Sequence, residues 1–375
     1  MTTQLVPAEL LQKADKILFV AHLALGDFTY MQSCFRAFTQ AYPHIKVHLW
    51  VDELRRTDDE TQWEHLKKYS LYDWVTSSSL FDKVYSQTYS PQLFEQSVKE
   101  AQAENYPIVI SLAVLHRHKY VNLIRRLSPN GFIVGQKKRV RFYDIPKHLI
   151  YRKLDAFIPA YKISKKHQAN LQPVPHISEI YAGWFHTLFN IGVSDSERLP
   201  YVDIPEKWCE YAKLQFNDWG FSEGQQVFFI NGYSKSADRS WKIERVLDLA
   251  AEIKRQPAWS NAGIIINVVP DQMKYARSVI AQRPIEHVHL FSATTNFFQL
   301  PAILSVCNLI ISVETAVMHL ANAVHVPVIA LMRQTSPEWV PIDASITTII
   351  KVKKRKAWMD EITVNDVMTV LRSGE

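Results

Sequence analysis

The sequence predicts an α/β protein of two domains, each a parallel sheet covered by helices, and three observations carry that expectation. Short apolar, β-branched runs alternate with longer amphipathic stretches along nearly the whole chain, the pattern of strand–helix–strand units whose strands are covered on both faces. At 375 residues the chain exceeds what one ordinary core fills and suits two domains. A proline-flanked connector from Leu199 to Pro205 interrupts the alternation, which then begins again. The expected units are 1–195, 196–355 and a terminal helical segment, 356–375.

The elements follow in order. The run Ile17 to Leu25 reads as a buried strand stopped by Gly26-Asp27; it is too short to span a bilayer and lacks a small-residue cleavage site. A helix is expected over 28–42. IKVHLWVDE gives a second strand, FDKVYS a short edge strand and YPIVISLAV a third strong one. From Arg125 to about Pro175 the chain turns basic and aromatic, punctuated by Pro129, Gly131, Gly135, Pro146 and Pro159, and is expected to be loop-rich and exposed. A helical stretch then leads into the connector. Beyond it come the strand QQVFFING, a helix over 243–255, the strand GIIINVVP and a helix from Gln272. VHLF, NLIISVE, a helix over 317–324 and PVIALM complete the second sheet, and Thr363 caps a terminal helix.

Apolar residues at 47% and charged residues at 21% exclude a largely disordered chain. Cys34, Cys209 and Cys307 are odd in number and far from any metal-ligand spacing, which argues for a reducing cytoplasm and no structural metal. The net charge of +6 is unevenly spread: twelve Lys/Arg between Arg125 and Lys166 face only Asp144 and Asp155. Such a belt is either a solvated face or a surface for anions such as phosphorylated glycan, lipid headgroups or nucleic acid.

Ligands of open parallel sheets bind beyond the carboxyl ends of the strands, so chemistry belongs just after the runs above. Leu25-Gly26-Asp27 follows the first strand; alone, it is also what a helix cap looks like. After QQVFFI the stretch Asn231 to Trp241 crowds hydroxyls and cations, including Ser234, Lys235 and Arg239, where a diphosphate would fit. After NLIISV come Glu314, Thr315, Ala316 and, on the following helix, His319. No paired acids suggest a metal site, since Asp58-Asp59-Glu60 reads as surface.

Taken in order, these three stretches resemble glycosyltransferase family 9, the lipopolysaccharide heptosyltransferases, over nearly the whole chain. The resemblance implies a GT-B architecture of two Rossmann-like domains facing across a cleft, with the C-terminal helix free to pack back on the first. It makes Asp27 the catalytic base and Asn231, Ser234, Lys235, Arg239, Glu314, Thr315, Ala316 and His319 the donor-binding set. Lys119 falls where the family often carries a cation after its third strong strand. The acceptor side then comprises Lys119 with Lys137, Lys138, Arg139 and Arg141 of the basic belt. Two departures stand out: the family's Asp-Thr-Gly is here Glu314-Thr315-Ala316, a longer carboxylate beside an added Cβ, which a position needing positive φ would resist.

The function implied is an inverting, metal-independent transfer of heptose from ADP-heptose to the Kdo or phosphorylated Kdo of the lipopolysaccharide inner core. It needs no cofactor, and its partners are the nucleotide sugar, a lipid A–Kdo glycolipid and, transiently, the cytoplasmic face of the inner membrane, with no nucleic acid. Two alternatives stay open at this point. One keeps the chemistry with a UDP-sugar such as UDP-N-acetylglucosamine. The other is a silent anionic-glycan or nucleic-acid binder using the belt with Phe142, Tyr143, Tyr151, Phe157 and Tyr161.

Overall fold

Strand β1 (Lys16–Ala21) has almost no polar side chain because both its faces are covered. In the computed structural model, which describes residues 4–160 and 174–373, Phe19 meets Phe35 and Phe38 edge-on and stacks on Phe185, with centroids 5.1, 5.6 and 5.7 Å away. Leu18 and Val20 point the other way, into a cluster with Val109, Ile124 and Ile133. Alternate residues therefore serve opposite layers, as a strand requires.

The first unit, Met1–Arg198, places around β1 the described elements α1 (Ala8–Lys13), α2 (Leu25–Ala41), β2 (Lys46–Val51), α3 (Trp63–Lys67), α4 (Ser70–Ser77) and β3 (Lys83–Tyr85). Next come α5 (Pro91–Ala103), β4 (Ile108–Ser111), α6 (Arg117–Leu127), β5 (Phe132–Lys137), α7 (Ile145–Tyr151), β6 (Ala156–Pro159) and α8 (Ile177–Phe189). The six strands are parallel in the order β3-β2-β1-β4-β5-β6. Ser90 caps α5 by accepting from the Leu93 N–H at 3.2 Å, with Pro91 at the first helical position.

The basic, proline-rich stretch after Arg125 is more ordered than its composition predicts. It contains β5 and β6, the sheet's last two strands. Pro159 is tolerated because it ends the edge strand, and Gly135 leaves room for Leu154, which an added Cβ would approach to 3.2 Å. The end of the belt, Tyr161 to Lys166, lies outside the described residues.

The second unit, Leu199–Glu375, comprises the described elements α9 (Glu206–Asp218), β7 (Val227–Asn231), α10 (Ile243–Arg255), β8 (Gly263–Asn267), α11 (Met273–Gln282) and β9 (Val288–Phe291). It continues through α12 (Gln299–Ser305), β10 (Leu309–Val313), α13 (Ala316–Ala323), β11 (Val328–Met332), β12 (Thr347–Lys351) and α14 (Val364–Ser373). Its parallel sheet runs β12-β11-β10-β7-β8-β9, the same winding as the first unit. The edge strand β12 is an addition to the sequence expectation: its TTIIK is only partly buried and lacks the apolar run that marks the inner strands.

The C-terminal helix packs into the core of its own unit. Val367, Met368 and Leu371 belong to the second unit's core with Val246, Ala250 and Ile253 of α10. The Trp241 indole donates to the Met359 carbonyl at 3.2 Å, fixing the segment before α14, and Thr363 and Asp366 cap that helix reciprocally. Among the described residues no helix is long and apolar enough to cross a membrane.

Candidate active site

In the second sheet the winding reverses between β7 and β10, the kind of switch point beyond whose carboxyl ends open parallel sheets bind ligands. Asn231, the last residue of β7, organises this point while buried to 2% exposure. Its Nδ2 donates to Ser312 Oγ and Thr315 Oγ1, both at 3.0 Å, and its Oδ1 accepts from Asn267 at 2.9 Å. These bonds occupy the amide, so Asn231 positions the turn rather than offering a free group. Thr315 caps α13 by accepting from the Val317 N–H at 3.3 Å. Ala316 opens that helix and is not among the described residues with positive φ, so the Cβ that replaces the family's glycine strains no backbone here.

Gly232, directly after β7, is required by space. A Cβ there would come within 2.6 Å of Val246 and 3.3 Å of the Trp241 carbonyl oxygen. Its own carbonyl accepts from the Trp241 N–H at 2.8 Å, closing the loop between them. Within the loop Ser240 Oγ donates to the Ser236 carbonyl at 3.0 Å and accepts from the Ser234 N–H at 3.0 Å. Ser234 therefore contributes its backbone to the loop's shape. Lys235 is exposed and makes no ion pair among the described residues, while the half-buried Arg239 comes within 4.0 Å of Glu314.

Glu314 uses its extra methylene to reach across to the end of β11, where its Oε2 accepts the Arg333 N–H at 3.1 Å. At 6% exposure, burial pushes its carboxyl above the usual carboxylate range, opposed by that N–H and by the Arg239 and Arg333 guanidiniums. The Arg333 side chain pairs with Asp238 in the loop, and its Nε is buried without a partner. With Lys235 and Arg239, Arg333 is the third cationic residue at this loop, and sequence reasoning missed it. The available clue was position, for it directly follows the strand PVIALM. His319 is buried beside Trp339, ring centroids 6.0 Å apart, which places it in the packing of α13.

A consequence for stability can be measured. Because the folded pKa of Glu314 is raised, its contribution is fully present below the ordinary carboxylate range and is lost as pH rises through the folded value. Glu314→Gln keeps an acceptor for the Arg333 N–H but has no charge to desolvate. Its melting temperature relative to wild type is expected to climb between pH 4 and pH 7, as read by thermal denaturation, on the scale of about 2–4 °C per kcal/mol. A constant difference across that range would show that Glu314 is ionised without cost.

In the first unit Asp27 occupies the first turn of α2, directly beyond β1. Its Oδ2 accepts the Ala24 N–H at 2.9 Å, and its Oδ1 accepts the Tyr181 hydroxyl from α8 at 2.6 Å. The carboxylate is thus both a helix cap and a group held from two sides, and each oxygen keeps a further lone pair for a ligand proton. Nearby His22 has its Nδ1 buried without a hydrogen-bond partner, and burial lowers its pKa despite Asp27, so the imidazole is neutral at pH 7.

Lys119 lines a cavity of about 250 Å³ beyond β2 and β4, together with Asp52, Arg56, His116 and Tyr120. Asp52 accepts the Tyr120 hydroxyl at 2.8 Å and pairs with Arg56, whose Nε donates to the Thr88 carbonyl at 2.7 Å. Burial nevertheless raises the Asp52 carboxyl above the usual range. Of these residues Lys119 was expected from the sequence, while Asp52, Arg56, His116, Tyr120 and Tyr181 were not singled out, because they come from separate elements that only the fold brings together. Lys138, Arg139 and Arg141 are exposed in the loop after β5, with the Lys137 ammonium 4.7 Å from the Phe157 ring centroid. Among the described residues no cluster of three or more His, Cys, Asp or Glu side chains is arranged to hold a metal.

Comparison with known proteins bears on the family and the fold. The sequence model of glycosyltransferase family 9 (heptosyltransferase) matches residues 159–364, more than half of the chain. Among solved structures, the family 9 glycosyl transferase from Veillonella parvula shares 15% identity, with 100% of this chain and 98% of that one covered at a TM-score of 0.73. E. coli ADP-heptose lps heptosyltransferase II shares 15% identity over 96% of this chain and 98% of that one, with a TM-score of 0.64. E. coli heptosyltransferase WaaC with ADP shares 14% over 96% and 97%, with a TM-score of 0.63. At these identities the structural likeness establishes the fold. No curated protein matches the chain in sequence.

Proposed function

This chain belongs to glycosyltransferase family 9, and from that premise we propose that it moves heptose, with inversion and without a divalent metal, from ADP-heptose to Kdo or phosphorylated Kdo of a membrane-borne lipopolysaccharide precursor. The observation that carries the reading is the cationic cluster at the second sheet's reversal point, where Lys235, Arg239 and Arg333 lie in or against the loop after β7, near the N-terminus of α13. Such a place suits a diphosphate. The choice of ADP-heptose rather than a UDP-sugar draws on the descriptions of the two E. coli relatives, one an ADP-heptose enzyme and the other holding ADP.

In the proposed reaction the acceptor hydroxyl gives its proton to an Asp27 oxygen as its own oxygen bonds to the anomeric carbon from the face opposite the nucleotide. The bond from that carbon to the diphosphate breaks, and its electron pair leaves on ADP. Asp27 is fixed for this by Ala24 and Tyr181, and the cations of the second unit offset the charge that develops on the leaving group. In this reading the helix N-terminus and the cations do the work that a divalent metal would otherwise do.

The test is to incubate the purified chain with ADP-heptose, UDP-N-acetylglucosamine and other nucleotide sugars, each with a Kdo-bearing acceptor, in saturating EDTA, and to weigh the products. A single heptose added from ADP-heptose is expected, at a rate unchanged by EDTA. Transfer from UDP-N-acetylglucosamine alone would replace the donor, and activity restored only by Mg²⁺ or Mn²⁺ would overturn the metal-free account.

A further inference from the structure

The first unit carries an apolar tip inside its most basic segment. Of thirteen large hydrophobic residues exposed among the described residues, five fall between Phe142 and Phe157, with Phe142 89%, Ile145 63% and Leu149 56% exposed. Scattered exposed hydrophobics are ordinary, but five within sixteen residues, four of them on α7 and the turn that leads into it, are not. Ile145 and Leu149 are four residues apart on α7 and share its outward face, while Tyr151 of the same helix is buried inward. The helix thus spends its aliphatic side chains on solvent. Around them, residues 137–157 carry seven Lys/Arg against Asp144 and Asp155, and those two acids pair with Lys147 and Arg125.

We propose that this loop and helix form an interfacial anchor that seats the first unit on an anionic bilayer, with Phe142, Ile145 and Leu149 entering the acyl boundary and the flanking cations meeting headgroup phosphates. Cationic surroundings and an apolar tip are the combination that an anionic lipid surface complements. Nucleic acid fits less well, because Ile145 and Leu149 cannot stack on bases and Tyr143 is already engaged by Arg141, whose Nη1 lies 2.5 Å from its hydroxyl. A second copy fits less well too, since a twofold contact through this patch would set its cations against their own images. The choice of a lipid surface also rests on the glycolipid reading of the acceptor, which makes a membrane the place where substrate is found.

The test uses the full chain and sedimentation with vesicles of phosphatidylcholine, with or without phosphatidylglycerol, at low and high salt. Binding is expected only with the anionic lipid, weakened by salt, and reduced at least about tenfold in the variant Phe142→Ser/Ile145→Ser/Leu149→Ser. Phe142→Trp should shift its added fluorescence to the blue when anionic vesicles are mixed in. The triple variant should keep wild-type ADP affinity and wild-type transfer to a deacylated, water-soluble acceptor. If wild type binds anionic vesicles but transfers nothing, the anchor stands and the transferase reading fails. Wild-type binding that is absent or indifferent to lipid charge, or a triple variant that binds as well as wild type, would overturn the anchor. So would tighter retention of single-stranded nucleic acid than of vesicles, or a dimer abolished by the triple variant.

Discussion

Asp27→Asn is expected to lower the transfer rate by about 10²–10⁴-fold, the usual cost of losing a general base, while leaving ADP affinity within about twofold. The geometry makes this substitution unusually clean. The asparagine oxygen still accepts the Ala24 N–H, and its amide can donate to the Tyr181 hydroxyl, which accepts as readily as it donates. The helix cap and the tie to α8 are therefore preserved, and the group that could take a proton is not. Single-turnover rates with ADP-heptose, alongside calorimetry with ADP, separate the two roles. A variant retaining more than about half of the wild-type rate would reduce Asp27 to a cap.

Arg239→Ala should weaken ADP binding by roughly 10–150-fold, corresponding to about 1.5–3 kcal/mol for a charge-assisted contact to phosphate. Lys235→Ala should lie at or below the lower end, because an exposed ammonium is well screened before the ligand arrives. Removing Arg239 also takes away one of the cations that offset buried Glu314, so this variant should bind worse than lost contacts alone would make it. The double variant should fall short of the product of the singles, since both act on one diphosphate. Titrations with ADP and UDP measure affinity and base preference together. Unchanged affinity in both single variants would remove the loop from the donor site.

Much of the fold could be read from the sequence because its strands are covered on both faces and so announce themselves as unbroken apolar runs. KILFVA, KVHLWV, VFFIN and LIISV all lie in the inner part of their sheets. Elements at the rim were harder: β12 is half exposed, and β5 and β6 are embedded in basic, proline-bearing sequence whose composition speaks of loops. The terminal helix illustrates another limit. Its amphipathic pattern states that one face will be buried but not against what, and Val367, Met368 and Leu371 chose the neighbouring α10.

The site divides the same way. Asp27, the loop after β7 and Glu314 were found because each directly follows a strand, and a parallel sheet delivers such positions to one edge. Their partners were not, because Tyr181 and Arg333 are separated from them by 154 and 95 residues, counting from Asp27 and Asp238. Only the packing of α8 on α2 and the placing of β11 in its sheet make them neighbours. The replacement of Asp-Thr-Gly by Glu-Thr-Ala, a departure in sequence, becomes intelligible once Glu314 is seen bridging to the end of β11.

The tie between Asp27 and Tyr181 also sets an order of events on the ribosome. Residues 16–51 can emerge early and pair β1 with β2, but the aromatic face of β1 waits for α8, whose Phe185 stacks on Phe19. Until residue 189 is outside the exit tunnel, Phe19, Phe35 and Phe38 lack that cover, and Asp27 has its cap but no second hand. The nascent first unit thus carries sticky aromatic surface for most of its own synthesis, a window in which chaperone binding or aggregation competes with closure. The carboxylate proposed to start the chemistry takes its final posture only when the last helix of its unit arrives.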